Sequence, residues 1–330
     1  MALSDPAALD DTGSPEDPDR QLRPGTRDVQ PSRLRAAVDY FDRRIWAYAL
    51  IVPSLFMVGV VIVYPMVSGI LMSFQDIRLL RPDAEGFIGL QHYRFMLTDR
   101  VARAALVNTG IWVFGGVLAQ LMLGMVAALL LNMKFRFIGL ARLLVMLPFF
   151  MPPVVTAHMW ALMLNARLGV INDVLVRIGV LDSYRAWFAD PTFALPTVMA
   201  VELWRSYPLF ALFLLAGLQA IPEELNEAAE VDGATGLSRF RYITLPLLRP
   251  VIMVATILQV IRLANVPDLL LILTGGGPGN ATQVISLYSF QMAYAEYNFG
   301  YGATIAVVLM LALASFAVVY VRIVGVKEGN

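Results

Sequence analysis

Long hydrophobic stretches alternate with short polar segments along most of the chain. Six of these stretches hold about 20 or more largely apolar residues, the length that an α-helix needs to cross a hydrocarbon core with its backbone hydrogen bonds satisfied internally. They cover residues 45–74, 105–132, 143–164, 193–218, 251–273 and 301–324. The pattern predicts an all-α polytopic membrane protein with six transmembrane helices, forming one transmembrane domain over residues 45–324.

Prolines lie within or at the ends of several predicted spans. A proline in a transmembrane helix is tolerated because neighbouring helices can satisfy the carbonyl that it leaves without a partner. We therefore expect kinked helices around a cavity. The prolines concerned are Pro53, Pro65, Pro148, Pro152, Pro153, Pro196 and Pro208.

The first 44 residues are polar, with acidic residues mixed among prolines. Such a segment cannot bury a hydrophobic core, and it contains no early apolar run typical of a cleaved signal peptide. We expect a disordered cytoplasmic tail over 1–44 and a short cytoplasmic C-terminus over 325–330.

The distribution of basic residues predicts the orientation. With the N-terminus inside, 15 of the 25 Lys and Arg residues lie on the cytoplasmic side, and the last outer loop has none. The positive-inside rule then favours both termini in the cytoplasm. The cytoplasmic set is the seven arginines before the first span, together with Lys134, Arg136, Arg142, Arg239, Arg241, Arg249, Arg322 and Lys327.

Composition excludes several functional classes. The chain is 58% hydrophobic and 15% charged, with a net charge of zero, so no basic field recruits nucleic acid. There are no cysteines, and His92 and His158 lie far apart without metal-ligand spacing. No G-x-S-x-G or HExxH motif is present, so we expect no catalytic residues, no bound metal and no cofactor on this chain.

A structured loop over 219–248 separates the fourth and fifth spans. Pro222 followed by Glu223 and Glu224 favours the start of a helix, because proline suits the first turn and acids favour the positive end of the helix dipole. Gly233 and Gly236 are expected to break that helix, and 237–245 to form a second short helix. Pro246 and Pro250 would then redirect the chain into span five. The result is a helix-turn-helix on the cytoplasmic face.

Small and acidic residues make this loop a candidate docking element. Ala228 and Ala229 permit close approach of another surface, while Glu227, Glu230 and Asp232 offer charged contacts. The alternative is an ordinary amphipathic interfacial helix, although such helices usually carry Lys and Arg on their polar face.

Several residues of this loop also fall at a characteristic spacing. Glu227-Ala228-Ala229 is followed after three residues by Gly233, after nine more by Ile243, and then by Leu245-Pro246. This pattern resembles the EAA loop of ATP-binding-cassette importer permeases. Segments 87–93, 108–109, 204–208 and 273–278 resemble the carbohydrate branch of that family, similar to the maltose-type first permease.

The resemblance implies a subunit of a bacterial inner-membrane importer for a sugar or polyol, in contact with membrane lipid. Its expected partners are a second homologous permease, an ATP-binding-cassette ATPase dimer that holds the ATP and Mg, and an extracytoplasmic solute-binding protein. The implied ATPase-docking residues are Glu227, Ala228, Ala229, Asp232, Gly233, Ile243, Leu245 and Pro246.

Polar residues also lie inside spans four and five. A charged residue at the centre of a membrane costs about 2.5–3.5 kcal/mol on insertion scales, so such residues usually face a cavity or a partner. We interpret them as a substrate path; the alternatives are a structural ion-pair network or contact with the second permease. The candidates are Glu202, Arg205, Ser206, Tyr207, Gln259, Arg262 and Asn265.

The glycine-rich segment 274–280 invites a phosphate-binding interpretation. It lacks GxxxxGK[ST] and a nearby lysine, so we interpret it as a flexible outer turn that is also a candidate contact for the solute-binding protein.

Two other functional classes remain as alternatives. An ion-coupled secondary carrier would use Glu202 as its coupling acid, although the sequence shows no paired halves or twin broken helices. A polytopic membrane enzyme would need a nucleophile and a base at membrane depth, and no plausible pair is found.

Overall fold

The computed structural model describes residues 50–81, 86–133 and 135–325. The predicted tail over 1–44, Lys134 and residues 326–330 lie outside this range. The chain divides into two units, Met1–Tyr64 and Pro65–Asn330. The boundary between them falls inside the first predicted span.

Helices long and apolar enough to cross a membrane account for the predicted spans. Within the described residues there are five such helices, or six if one bent pair counts as a span. We call them spans 1 to 6 in chain order. They are Leu50–Met72, Arg100–Leu131, the bent pair Ile138–Phe150 and Pro153–Met163, Ala194–Gln219, Gly236–Leu273 and Phe299–Ile323. The polytopic all-α fold is confirmed, with a small addition in the form of a two-residue antiparallel ladder, Gln75–Asp76 with Gly86–Phe87.

Span 3 differs from the single helix predicted over 143–164. Its two halves meet at an angle of 96°. Met151 and Pro152 have extended backbones, with ψ of 129° and 141°. Each precedes a proline, and the proline ring disfavours helical geometry in the residue before it. Two consecutive prolines therefore bend the span sharply, where one kinked helix was expected.

Span 5 begins earlier than expected. Its helix is continuous through Gly236–Arg239, a π-helical turn at Phe240–Thr244 and Leu245–Asn265. Pro246 and Pro250 were expected to reset the chain, and that expectation is wrong. The Leu245 N–H bonds the Phe240 carbonyl, five residues back, and this wider turn accommodates the ring of Pro246.

Proline at position 267 ends the main helix of span 5. Because Pro267 has no N–H, the carbonyl of Leu263 lacks its helical donor. The indole Nε1 of Trp112 in span 2 donates to this carbonyl at 3.0 Å, and both residues are buried. A neighbouring span thus satisfies a carbonyl freed by a proline, here one that was not among the prolines considered from the sequence.

Close helix packing depends on small residues. A Cβ atom at Gly124 of span 2 would lie 2.5 Å from the Cβ of Phe210 in span 4. One at Gly217 of span 4 would lie 2.7 Å from Leu248 and 3.0 Å from Val251 in span 5. Glycine lets the backbones approach, which is the usual basis of helix association in membranes. Spans 2, 4 and 5 therefore form the tightly packed part of the core.

The end of the bundle opposite the 219–248 loop carries the short ladder and two further helices, Gln91–Thr98 and Ile285–Tyr294. Asp99 caps span 2 by accepting from the Val101 N–H at 2.8 Å. It also accepts from the hydroxyls of Tyr288 and Tyr301, both at 2.6 Å. This one carboxylate joins span 2, the Ile285–Tyr294 helix and span 6.

Candidate functional site

A buried ionic network connects spans 4 and 5. Glu202 accepts from the Arg205 Nε and Nη2 at 3.3 Å through one oxygen. Its other oxygen accepts from the Ser206 hydroxyl at 2.6 Å and from Nη2 of Arg262, which also donates to Ser206 at 2.8 Å. Glu202, Arg205 and Ser206 share one face of span 4 because they lie three or four residues apart.

The network extends into span 2 through two glutamines. Arg262 Nε donates to the Gln259 side-chain oxygen at 2.6 Å, and Gln259 Nε2 donates to the Gln120 oxygen at 2.7 Å. Both glutamines are buried. Gln120 was not predicted from the sequence, although an isolated glutamine within an apolar span itself indicates a buried polar contact.

Two of the predicted path residues lie outside this network. Tyr207 is half-buried and points away from Glu202 by its position on the helix. Asn265 is exposed, and its amide donates to the Ile261 carbonyl of its own helix at 2.8 Å. Asn265 follows Gln259 by six residues, which places it on a different side of the helix. The structure thus joins Glu202, Arg205, Ser206, Gln259 and Arg262 and leaves the other two apart.

The network is graded in exposure. The side chain of Glu202 is 5% exposed, that of Arg205 is 11%, and that of Arg262 is 26%. The carboxylate is therefore the inner member and the guanidinium groups are the more accessible ones. Such an arrangement can hold the helices together and can also present hydrogen-bond donors to a passing solute.

The predicted helix-turn-helix is present in the 219–248 loop. The first helix, Glu223–Val231, begins after Pro222 as expected. It ends in a Schellman motif, with the Ala234 N–H bonding the Ala229 carbonyl at 2.9 Å and the Gly233 N–H bonding the Glu230 carbonyl at 3.1 Å. Gly233 has φ of +74°, a left-handed conformation that favours glycine. Gly236 was expected to break the helix, but it begins the next one, after Thr235 caps Ser238.

The predicted docking residues occupy two layers of this loop. Glu227, Ala228, Asp232 and Gly233 are exposed, while Ala229 is buried. The half-buried members belong to the start of span 5 and are Ile243, Leu245 and Pro246. The exposed residues are available for contact, and the half-buried ones anchor the loop to span 5.

A polar cleft of about 470 Å³ lies among the two helices of the loop and the adjoining ends of spans 2 and 4, where Leu129 and Leu218 line it. Glu227, Glu230 and Asn226 line one side, and Arg239 and Phe240 line the other. Arg239 pairs with Glu230 at 2.5 Å and links the helices across the turn. Exposed apolar residues flank the cleft, notably Val231 at 88% and Leu237 at 77% exposure. Charged residues beside exposed apolar ones are typical of a surface that binds a protein.

The glycine-rich turn at the other end, which was expected to be a flexible outer turn, has several hydrogen-bond partners. The side-chain amide of Asn108 donates to the carbonyls of Asn280 and Gln283, both at 3.0 Å. Thr109 accepts from the Ile285 N–H at 2.9 Å, and Gln291 donates to the Gly275 carbonyl at 2.9 Å. The turn is thereby tied to the first turns of span 2.

Among the described residues, no group of three or more His, Cys, Asp or Glu is arranged to hold a metal. His92 is buried, and burial lowers its pKa in spite of the nearby Asp76 carboxylate. It contacts the ring of Tyr301 at a centroid distance of 5.7 Å, so it belongs to the packing of this end.

Comparison with known proteins gives a consistent family signal. The family model described as binding-protein-dependent transport system inner membrane component matches residues 120–324. The chain is similar to the trehalose/maltose transport system permease protein MalF of Thermococcus litoralis, with 35% identity covering 88% of this chain and 97% of that protein. It is also similar to the sulfoquinovosyl glycerol transport system permease protein SmoG of Agrobacterium fabrum, with 34% identity covering 86% of this chain and 92% of that protein.

A solved structure shares the fold. It is the crystal structure of a bacterial ABC transporter involved in the import of the acidic polysaccharide alginate. The matching chain has a TM-score of 0.76 and 20% identity, covering 87% of this chain and 98% of that one.

Proposed function

Because this chain belongs to the family of binding-protein-dependent transport system inner membrane components, we propose that it is a translocation subunit of an ATP-driven importer for a sugar or polyol. In this proposal the chain spans the bacterial inner membrane with both termini in the cytoplasm. It works beside a second homologous permease and receives solute from an extracytoplasmic binding protein. A separate ATPase dimer binds the ATP and Mg.

The relatives support the solute class. One is named for trehalose and maltose, another for sulfoquinovosyl glycerol, and a third is the trehalose transport system permease protein SugA of Mycobacterium tuberculosis. A solved neighbour of the same fold was crystallised with a pentasaccharide-bound periplasmic protein, which supports the expectation of a binding protein.

One feature of the fold carries the coupling proposal. The second helix of the 219–248 loop continues without a break into the helix that holds Gln259 and Arg262. A rigid helix rises about 1.5 Å per residue and transmits displacement along its axis. A movement imposed on the loop by an ATPase would therefore reach the ionic network directly and drive alternating access.

The ion-coupled carrier finds less support. Glu202, its expected coupling acid, is already paired with Arg205 and Arg262 and accepts a hydrogen bond from Ser206. A coupling acid must exchange its ion or proton during each cycle, and a carboxylate held by two guanidinium groups is poorly suited to that role.

The docking proposal is tested by replacing Glu227 with glutamine. Truncating one partner of an interfacial charge pair costs about 2 kcal/mol or more, which is over tenfold in affinity. We expect Glu227→Gln to weaken co-purification of the ATPase with this chain and to reduce ATP-dependent uptake in proteoliposomes that contain the whole importer. Insertion of the chain into the membrane should be unchanged.

The matched control is Glu296→Gln, the same chemical change at an exposed position on the opposite end. It should leave ATPase attachment intact. Full ATPase retention and full uptake by Glu227→Gln would contradict the docking role. Uptake by the chain alone, driven by a proton or sodium gradient, would contradict the importer.

A further inference from the structure

The ionic network contains an excess of positive charge. Two guanidinium groups, Arg205 and Arg262, face one carboxylate, Glu202, while Ser206 and the two glutamines are neutral. An unbalanced charge at membrane depth is costly unless it meets a partner or a water-filled cavity. Among the described residues, no second acid joins this network.

Glu202 cannot compensate the second cation further. An ionised carboxylate offers about four acceptor positions. Its two oxygens already accept from two nitrogens of Arg205, one of Arg262 and the hydroxyl of Ser206. The carboxylate is saturated, and it is also the least exposed member of the network.

The donors that remain lie on the accessible members. The Nη1 groups of Arg205 and Arg262 donate no hydrogen bond to any described side chain or backbone group, and neither is among the fully buried polar atoms. Arg262 is held by its Nε bond to Gln259, which is fixed in turn by Gln120. A guanidinium oriented in advance, with free donors and partial exposure, is a typical site for a carboxylate or another oxyanion.

We propose that the solute translocated along this path carries a negative charge, as in a saccharide with a carboxylate or sulfonate group. The inference rests on the proposed function and refines its solute class. Hydroxyl groups of a neutral sugar could accept hydrogen bonds from Arg205 and Arg262, but they could not neutralise the net positive charge. An anionic group does both.

The test uses the intact importer, purified from its native membrane through a tag on this chain and placed in lipid nanodiscs without its binding protein. Three labelled probes of equal size are compared: methyl β-D-glucuronide, methyl β-D-glucoside and methyl β-D-glucosaminide, which are anionic, neutral and cationic at pH 7. We expect the glucuronide to bind about tenfold or more tightly than the glucoside, the size of one charge-assisted hydrogen bond, and the glucosaminide to bind most weakly. The preference should fall as salt is added.

Two substitutions separate solute binding from a purely structural role. Arg262→Gln should weaken glucuronide binding about tenfold and glucoside binding much less, so that the preference for the glucuronide is lost. Glu202→Gln removes the internal anion, so it should increase glucuronide affinity several-fold, whereas the loss of a purely structural ion pair would weaken binding of every probe. The control is Arg249→Gln, at an exposed position on the same helix.

The wild-type comparison decides the inference even if a variant fails to assemble. Equal or tighter binding of the glucoside, or no binding of the glucuronide, overturns it. These results concern the charge of the solute alone, whereas the docking proposal is judged separately by ATPase attachment in the Glu227→Gln variant.

Discussion

Single residues at opposite ends of this molecule are constrained in two different ways, by backbone conformation and by hydrogen bonds to a charged group. Gly233 illustrates the first case. A Cβ atom there would meet nothing within 4 Å, but its φ of +74° disfavours residues other than glycine. The requirement is conformational and local, so it could be predicted from the sequence as a helix end. Asp99 illustrates the second case. Two of its three donors, the hydroxyls of Tyr288 and Tyr301, come from distant parts of the chain, so its role could not be predicted from the sequence.

Asp99 predicts a specific dependence of stability on pH. Burial opposes its ionisation, but hydrogen bonds from Tyr288, Tyr301 and the N-terminal backbone of span 2 outweigh burial and lower its pKa below the ordinary value. The stabilisation is therefore complete above the unfolded pKa of about 3.9 and is lost as pH falls through the folded pKa. Asp99→Asn should lower the free energy of unfolding by roughly 1–3 kcal/mol at pH 7. It should also reduce the dependence of stability on pH in the acidic range.

Thermal unfolding of the purified chain in detergent between pH 3 and pH 7 measures both effects. Asp182→Asn, an exposed aspartate at the same end, serves as the control and should follow the wild type. An Asp99→Asn variant with unchanged stability at pH 7 would show that the two tyrosines contribute nothing through this carboxylate.

At the scale of helices, prolines determine where spans bend and end. They also leave carbonyl groups that need a hydrogen-bond donor from a neighbouring span. Pro267 leaves the Leu263 carbonyl without a helical donor, and Trp112 replaces that donor from span 2. Trp112→Phe should lower the free energy of unfolding by roughly 1–3 kcal/mol, because a buried carbonyl would lose the donor that replaces its helical one. In a Pro267→Ala background the new N–H can serve this carbonyl, so the same tryptophan substitution should cost less.

A double-mutant cycle on thermal stability measures this coupling. Trp160→Phe is the matched control, because the buried Trp160 Nε1 has no hydrogen-bond partner among the described residues. Additive effects of Trp112→Phe and Pro267→Ala would rule out compensation across the two spans.

The same helices show what sequence patterns can and cannot predict. The existence of the spans followed from their length and hydrophobicity, and the helix-turn-helix followed from Pro222 and Gly233. The uninterrupted entry into span 5 did not, since Pro246 and Pro250 are helix breakers by local rules and the π turn that accommodates Pro246 has no sequence signature. Glu202 and Arg205 could be paired from their spacing, but the contact of Gln120 with Gln259 depends on how separate spans pack.

For the molecule as a whole, spans 4 and 5 are joined at two levels. Near the 219–248 loop, Gly217 packs against Leu248 and Val251, and about 22 Å further along span 4, at 1.5 Å per residue, Glu202 contacts Arg262. Two contacts this far apart resist both sliding and rotation of one helix against the other. We therefore expect spans 4 and 5 to move as one body when the loop is displaced.

A cross-link between the two spans tests this expectation. The native chain has no cysteine, and a Cβ atom at position 217 would lie 3.5 Å from the Val251 Cβ, within the range found in disulfides. Gly217→Cys with Val251→Cys should form a disulfide on oxidation, and the cross-linked importer should keep at least half of its ATP-dependent uptake. The two single-cysteine variants correct for the displaced side chain of Leu248. If oxidation abolishes uptake and a reductant restores it, spans 4 and 5 must slide against each other during transport, and the loop then acts on the ionic network by opening this interface instead of carrying both helices together.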